Sequence, residues 1–594
     1  MIMLIYSIRR PPVEMKNNQN YISRFLQMDR RNTLLTLCLK TVSALLLSAE
    51  TLIIAKLIDH IISGIAVSQG RAILCDTVLL ALFWLVKRAI LFMDGIFHAR
   101  LKRTVHAKLP SYILEKKAAL PYLILENQEN QELIRRISSD TAAKFCSYFE
   151  NIVSLMEIAI QLLGLLVLVA VRNALFSGLL LLVLIPYIIY SIRNGQSSYE
   201  AYEASEELFR RADYYQDVMK DRKYVEERTL FQYGDFFQER WAKKSREAIR
   251  IETWANFAIF SKAGAINIFS TIVIGVLSGL LMLTVVRGQS TVGFFIAVMK
   301  SFINFIDTVS SRFAGRMSTC EKGILYLQDI RRFEQLEEET ASIQDTDTPD
   351  VVETIEFCHV TFSYPQSTRK IFDDLSFKLT RNRQYALVGE NGAGKSTLLK
   401  LIMGFYEDYT GQILINGREI RSIPRETLRR LYSFVPQEIT RYEIRLNEYL
   451  KNNDRTRIHD IFTTLGIHDI STTTDPFPLL GKIEDEGRDL SGGQWQLLAV
   501  ARAILDERAV YVLDEPTAAI DPIREARLYQ LFQKMMGSRF AILVTHRLGA
   551  AKMADEIIVL KDGRIQERGS HDELMAQNGI YQSMYDTQRK WYET

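Results

Sequence analysis

Gly389-Glu390-Asn391-Gly392-Ala393-Gly394-Lys395-Ser396 fits the pattern G-x-x-x-x-G-K-[ST]. The run Tyr385-Ala386-Leu387-Val388 before it reads as a buried parallel strand, and Leu398, Leu399, Leu401 and Ile402 after it recur with helical spacing. Strand, glycine loop and helix form the context this motif needs. The glycines let backbone N–H groups close around phosphate oxygens, and the helix N-terminus adds its positive dipole end. Lys395 can reach β- and γ-phosphates, and the Ser396 hydroxyl can ligate Mg²⁺.

A second apolar run, Val510-Tyr511-Val512-Leu513, ends in Asp514-Glu515. Alone it would be an ordinary strand with a solvated end. Downstream of a phosphate loop, Asp514 is placed to hold a Mg²⁺ shell and Glu515 to orient or deprotonate an attacking water. Between loop and strand lies Leu490-Ser491-Gly492-Gly493-Gln494, which is not a general nucleotide motif.

That order resembles the nucleotide-binding domain of ATP-binding cassette proteins, and the resemblance covers about Val351 to Thr594. It implies an α/β P-loop ATPase fold, with ATP and Mg²⁺ as cofactors. By the same resemblance Tyr364, in Phe362-Ser363-Tyr364-Pro365, matches the aromatic that stacks on adenine. Gln437, in Val435-Pro436-Gln437-Glu438, matches a glutamine that senses Mg²⁺ and water. His546, in Val544-Thr545-His546-Arg547-Leu548, matches the histidine on the γ-phosphate, and Asp521 the acid of the following loop. The catalytic set implied is Glu515, His546, Gln437 and Lys395, with Ser396, Gln437 and Asp514 on the metal. Nucleotide contacts fall to Tyr364, Gly389, Asn391, Gly392, Gly394, Lys395, Ser396 and Thr397, and to Ser491, Gly492, Gly493 and Gln494. In this family each ATP is sandwiched between the lysine loop of one copy and the signature of another. The resemblance therefore implies a partner, either a second copy or a homologous half-transporter. Both sites of a homodimer would carry the full set.

Some positions depart from the family pattern. Ala518-Ala519-Ile520-Asp521 stands where Ser-Ala-Leu-Asp is usual, and Leu497 where an arginine often follows the signature. The stretch Ile483-Glu484-Asp485-Glu486-Gly487 is shifted or shortened, so its glutamate role is not carried to one residue. None of these changes removes a catalytic group.

The first half of the chain is different in kind. Of 594 residues, 48% are hydrophobic. The clearest apolar stretches are 158–171, 174–192 and 264–286, with weaker ones at 33–62, 73–97 and 291–313. A spanning helix needs roughly 20 mostly apolar residues, so six spans are expected. Loops at 63–72, 172–173 and 287–290 are short; those at 98–149 and 193–256 are long, charged and helical in pattern. Arg100, Lys102, Arg103, Lys108, Lys116 and Lys117 in the first long loop, and Arg9, Arg10, Arg24, Arg30 and Arg31 before the first span, mark the cytoplasmic side. This half resembles the six-span domain of ATP-binding cassette exporters. There the long loops end in coupling helices, which implies that Pro121 to Asn130 and roughly Gln216 to Phe231 press on nucleotide domains. Ser290-Thr291-Val292-Gly293 resembles the family's entry into the last span.

Ionisable residues inside spans are costly and mark function or interfacial anchoring. Glu50, Lys56, Asp59, Lys87, Arg88, Asp94, Glu157, Gln161, Lys262 and Asn267 interrupt the stretches. Lys300, Asn304 and Asp307 share one face of the last, as a polar cavity for amphipathic cargo would require.

A net charge of +3 leaves no nucleic-acid footprint. Five cysteines without paired or metal-like spacing argue against a zinc site. Met1 to Tyr6 is too short an apolar run for a signal peptide, and Met15 is an alternative start. No cysteine-protease-like domain is read before the first span, so leader cleavage is not an expected activity. The expected organisation is a cytoplasmic segment at 1–32, an α-helical six-span domain at 33–333, a linker at 334–350 and the ATPase domain at 351–594. The expected activity is ATP-driven export of a peptide, drug-like or lipid amphiphile across the cell membrane, the N-terminus and nucleotide domain lying in the cytoplasm. A heterodimer subunit and an ATP-gated sensor are the alternatives.

Overall fold

A computed structural model describes residues 21–66, 70–138, 140–172, 207–308, 314–339, 351–365, 367–467, 475–482, 487–517 and 539–593, with a few isolated positions besides. Residues 1–20 with Met15, most of the span expected at 174–192, Asn173, the linker from 340, Ile483 to Glu486, Ala518, Ala519 and Asp521 lie outside the described residues. So do the side chains of Lys262, Asn267, Asn304 and Asp307. The chain divides into two compact units, 1–120 with 127–337, and 121–126 with 338–594.

The first unit is helical. Its helices are α1 (Tyr21–Ala66), α2 (Gly70–Ala118), α4 (Gln128–Ser138), α5 (Thr141–Arg172), α6 (Val225–Leu230), α7 (Gly234–Val286), α8 (Val292–Thr308) and α9 (Ala314–Gln335); α3 (Tyr122–Glu126) belongs to the second unit. The 46 residues of α1 are two helices, because Asp29 has φ −154°. Its carboxylate accepts from the Asn32 N–H at 3.1 Å and so caps the second of them. The long loop at 98–149 resolves into the extension of α2, then α3, α4 and the start of α5. The expected coupling stretch Pro121 to Asn130 is not one piece. Its helix stops at Glu126, and the Asn127 side chain accepts from Glu129 N–H at 2.9 Å to open α4. The second stretch, Gln216 to Phe231, ends in a 3₁₀ turn at Arg222–Tyr224 followed by α6.

Among the described residues, Arg24–Ser63 and Thr141–Val171 are long and apolar enough to cross a membrane; Thr271–Val286 and Val292–Ile303 are shorter apolar helices. Among the described residues, several polar side chains of α1, α2 and α5 are paired with one another. Lys87 meets Glu50 at 2.5 Å, Lys40 meets Asp94 at 3.0 Å, Lys56 meets Asp76 at 3.6 Å, and Gln161 donates to Glu157 at 3.5 Å. Charges removed from water need partners, so one helix supplies what the next lacks. Lys300 is exposed. Asp59 accepts from the Gly293 N–H at 2.7 Å, and a Cβ on Gly293 would stand 2.1 Å from the Ala55 carbonyl oxygen. The Thr291-Val292-Gly293 stretch is therefore a helix start capped from α1.

The second unit holds two sheets. A four-stranded antiparallel sheet has the order β2-β1-β4-β5, with β1 Thr354–Ser363, β2 Lys370–Thr380, β4 Tyr409–Ile415 and β5 Arg418–Glu419. A six-stranded sheet has the order β10-β9-β3-β8-β7-β6, from β3 Gln384–Val388, β6 Tyr432–Val435, β7 Val510–Asp514, β8 Phe540–Val544, β9 Glu556–Lys561 and β10 Arg564–Gly569. Strands β9, β3, β8, β7 and β6 run parallel. Parallel strands covered on both faces are apolar throughout, and Tyr385 to Val388 and Val510 to Leu513 are all buried. Strands β3 and β7 are separated only by β8, so their C-terminal ends share one edge of the sheet. Ligands of open α/β sheets bind outside such an edge.

Candidate nucleotide site

The loop after β3 leads into α10 (Lys395–Ile402). Two glycines are dictated by geometry. Gly389 has φ +153°, and a Cβ there would lie 2.2 Å from the Leu560 carbonyl oxygen. Gly394 has φ +103°, and its Cβ would press on Phe372 at 2.9 Å. No L side chain fits either place. The Lys395 ammonium is buried and donates to the carbonyls of Gly389 at 2.8 Å and Glu390 at 3.0 Å. Burial lowers its pKa from the ordinary lysine value, with Glu515 and Asp514 opposing.

Asp514 ends β7 and is 6% exposed. Burial raises its pKa above the ordinary carboxylate value, against a hydrogen bond from Ser396. Its Oδ1 is buried without a hydrogen-bond partner among the described residues. A buried carboxylate oxygen beside a serine hydroxyl is the hard donor set Mg²⁺ takes. The residues present thus fit the cation. The described residues hold no cluster of three or more His, Cys, Asp or Glu for a metal.

Glu515 follows at φ +48°, a left-handed conformation rare outside glycine and asparagine. Its N–H donates to the Val544 carbonyl at 2.9 Å, so the sheet ladder holds the turned backbone. The carboxylate accepts from Gln437 Nε2 at 3.2 Å and meets His546 Nε2 at 2.8 Å. Burial lowers the His546 pKa below 6.5; the nearby Lys395 charge adds to this and Glu515 opposes it. The direction favours the neutral imidazole, and the 2.8 Å approach to a carboxylate assigns its N–H to Nε2. Observed backbone strain at one acid, clamped by two side chains, is an arrangement associated with functional sites.

The structure gathers Lys395, Ser396, Asp514, Glu515, Gln437 and His546 at one sheet edge. Tyr364 lies off the end of β1. Its hydroxyl shares a hydrogen bond with Thr397 at 2.8 Å, and its ring meets Tyr406 edge-on. The signature opens α11 (Gly492–Asp506). Ser491 accepts from Gln494 N–H at 3.3 Å, and Gln494 Oε1 accepts from Ser491 N–H at 2.8 Å. This reciprocal cap presents an exposed helix N-terminus, ready for an anion.

Two contributors had no place in the motif reading. Gln496 is buried and donates to the Glu515 carbonyl at 3.2 Å, and its signal was present in the continuation Gln494-Trp495-Gln496. Gln588, on the C-terminal helix Ile580–Glu593, donates to the His546 carbonyl at 2.9 Å and accepts from Leu548 N–H at 2.7 Å. Nothing near Gln588 in sequence points to that loop.

Residues 372–518 match the family model of the ABC transporter. Over 582 residues the chain is 25% identical to the nisin transport ATP-binding protein NisT of Lactococcus lactis, covering 94% of each chain. It is 25% identical to the subtilin transport ATP-binding protein SpaT of Bacillus subtilis, over 84% of this chain and 82% of that one. It is 26% identical to an ATP-dependent lipid A-core flippase of Methylococcus capsulatus, over 93% and 92%. A solved bacterial Atm1-family ABC exporter with ATP bound superposes with a TM-score of 0.75 at 22% identity, over 94% of this chain and 98% of that one.

Proposed function

We propose that this chain, which belongs to the ATP-binding cassette transporters, is one half of an ATP-driven membrane exporter and acts as a pair of copies. The observation that carries the reading is the Glu515 carboxylate held between Gln437 and His546, beside buried Lys395 and Asp514. The loop amides and Lys395 bind the triphosphate, and Tyr364 stacks on adenine. Ser396, Asp514 and Gln437 would hold Mg²⁺, which would neutralise charge on the β- and γ-phosphates. Glu515 orients the attacking water and accepts its proton. Kept neutral, His546 has a single ring N–H, which passes from the Glu515 carboxylate to a γ-phosphate oxygen when ATP binds. Ser491, Gly492, Gly493 and Gln494 complete the site of the opposite copy, so that ATP holds the two together and hydrolysis releases them.

The proposed organisation is the cytoplasmic segment at 1–32, six spans within 33–333, the linker at 334–350 and the ATPase domain at 351–594. The basic residues flanking the first span and in the first long loop support a cytoplasmic N-terminus and nucleotide domain. The long apolar helices support an integral membrane protein. Relatives named for subtilin, nisin and lipid A transport support an amphipathic cargo, a peptide first and a lipid second.

The deciding experiment is Mg²⁺-dependent ATP hydrolysis by this chain alone in lipid, beside Glu515→Gln. The variant should lose about 10²–10⁴-fold of the rate, the worth of general base catalysis. An inactive but folded parent would mean that a different partner chain is needed and would end the self-paired reading.

A further inference from the structure

Lys400 lies on α10, five residues beyond Lys395, and has no place in the phosphate-loop motif. Its ammonium stands 5.5 Å from the ring centroid of Tyr122 and 5.9 Å from those of Tyr364 and Tyr406. It also meets Glu126 Oε1 at 3.5 Å. The Tyr406 hydroxyl donates to the other oxygen of Glu126, and the Tyr122 hydroxyl donates to Oε1 at 3.2 Å. Tyr122 stacks on Phe405 with centroids 4.8 Å apart, and Tyr406 meets the edges of Tyr122 and Tyr364. A cation is attracted to each ring face and to the carboxylate. Burial alone would lower the Lys400 pKa, but Tyr122, then Tyr364 and Glu126, outweigh it and keep the value raised.

Two features of this cage give it more than a packing role. Tyr364, the residue placed for adenine, is one of its walls, and its hydroxyl is tied through Thr397 to the phosphate-loop helix. The opposite wall is the segment Pro121–Glu126, which joins this compact unit although it is far from the rest of it in sequence. The same few side chains thus join Tyr364, the residue proposed to stack on the base, to the segment 121–126.

We propose that Lys400 is a positioning residue through which the segment 121–126 reads the base of the nucleotide, and not only its phosphates. The proposal rests on the nucleotide-site reading above. A base stacked on Tyr364 fixes that ring and shares its π-face with the ammonium. Tyr406 and Lys400 follow the ring, and Glu126, held by both, follows them. A triphosphate without a base fills the loop but leaves Tyr364 free.

The test is amide hydrogen exchange of the full-length chain in lipid nanodiscs, with Mg²⁺-ATP or Mg²⁺-tripolyphosphate at concentrations that protect the loop 389–396. In the parent, ATP should slow exchange at both 389–396 and 121–126, and tripolyphosphate only at 389–396. In Lys400→Met, which keeps the apolar stem, ATP should protect the loop and lose its effect on 121–126. Lys400→Arg should restore that effect. Equal protection of 121–126 by tripolyphosphate in the parent would overturn the proposal without any variant. Retained ATP protection there in Lys400→Met would do the same. Absence of loop protection by ATP in the parent would instead remove the nucleotide site itself, and the proposal with it.

Discussion

Asp514 and His546 are tuned by burial in opposite chemical senses. The acid is pushed up and the imidazole down, because both charged forms lose solvation. For Asp514 the folded state takes its proton before the unfolded chain does. Its charge therefore costs stability above the raised value, and that cost disappears as pH falls toward 3.8. Asp514→Asn should melt higher than the parent at neutral pH without nucleotide, by on the order of 1 kcal/mol. The order should reverse with Mg²⁺-ATP, because the parent alone gains the cation. Differential scanning with and without ligand reads both signs; a variant that melts lower in both states would refute the argument. For His546 the depressed value keeps the imidazole neutral below the usual histidine range. The acid limb of ATP hydrolysis assigned to this group should then lie below 6.5, as a pH–rate profile would reveal.

At the scale of elements, two contacts hold parts that no motif joins. Asp59 caps α8 from α1, where Gly293 leaves no room for a side chain. Asp59→Ala should cost about 1 kcal/mol, the ordinary worth of a helix cap, and lower the melting temperature in detergent. Gln588 fastens the C-terminal helix to the backbone on both sides of Arg547. Gln588→Ala should lower kcat for ATP with KM nearly unchanged, because it loosens His546 and leaves Lys395 and Tyr364 in place. A rise in KM alone would place the C-terminal helix in nucleotide binding instead.

At the scale of the molecule, the paired reading makes a prediction that no single chain can satisfy. Lys395→Ala damages a site through the loop, and Ser491→Arg damages it through the signature. If each site takes the loop from one copy and the signature from the other, a mixed pair has one doubly damaged site and one intact site. Co-expression of the two inactive variants should then recover ATP hydrolysis that neither shows alone. No recovery, with mixed pairs verified by two affinity tags, would mean that each site is built within one chain.

The order of glycine loop, signature and acidic strand end was legible in the residues, because each motif is local and its chemistry depends on spacing along a few residues. Tyr385 to Val388 and Val510 to Leu513 were readable as buried strands for the same reason: apolarity on both faces is written into consecutive positions. Of the apolar stretches, 33–62 and 158–171 fall, among the described residues, on helices long and apolar enough to cross a membrane. Tertiary structure alone decided that β8 lies between β3 and β7, which brings Lys395 and Glu515 to one edge. It turned Glu515 to φ +48° and set Gln496 and Gln588 against the carbonyls of Glu515 and His546. It also paired Lys40 with Asp94 and Lys87 with Glu50 across helices, where the sequence displayed only isolated charges in apolar runs. Such contacts depend on which elements become neighbours. That choice follows from burying whole faces together, and no window of the chain contains it.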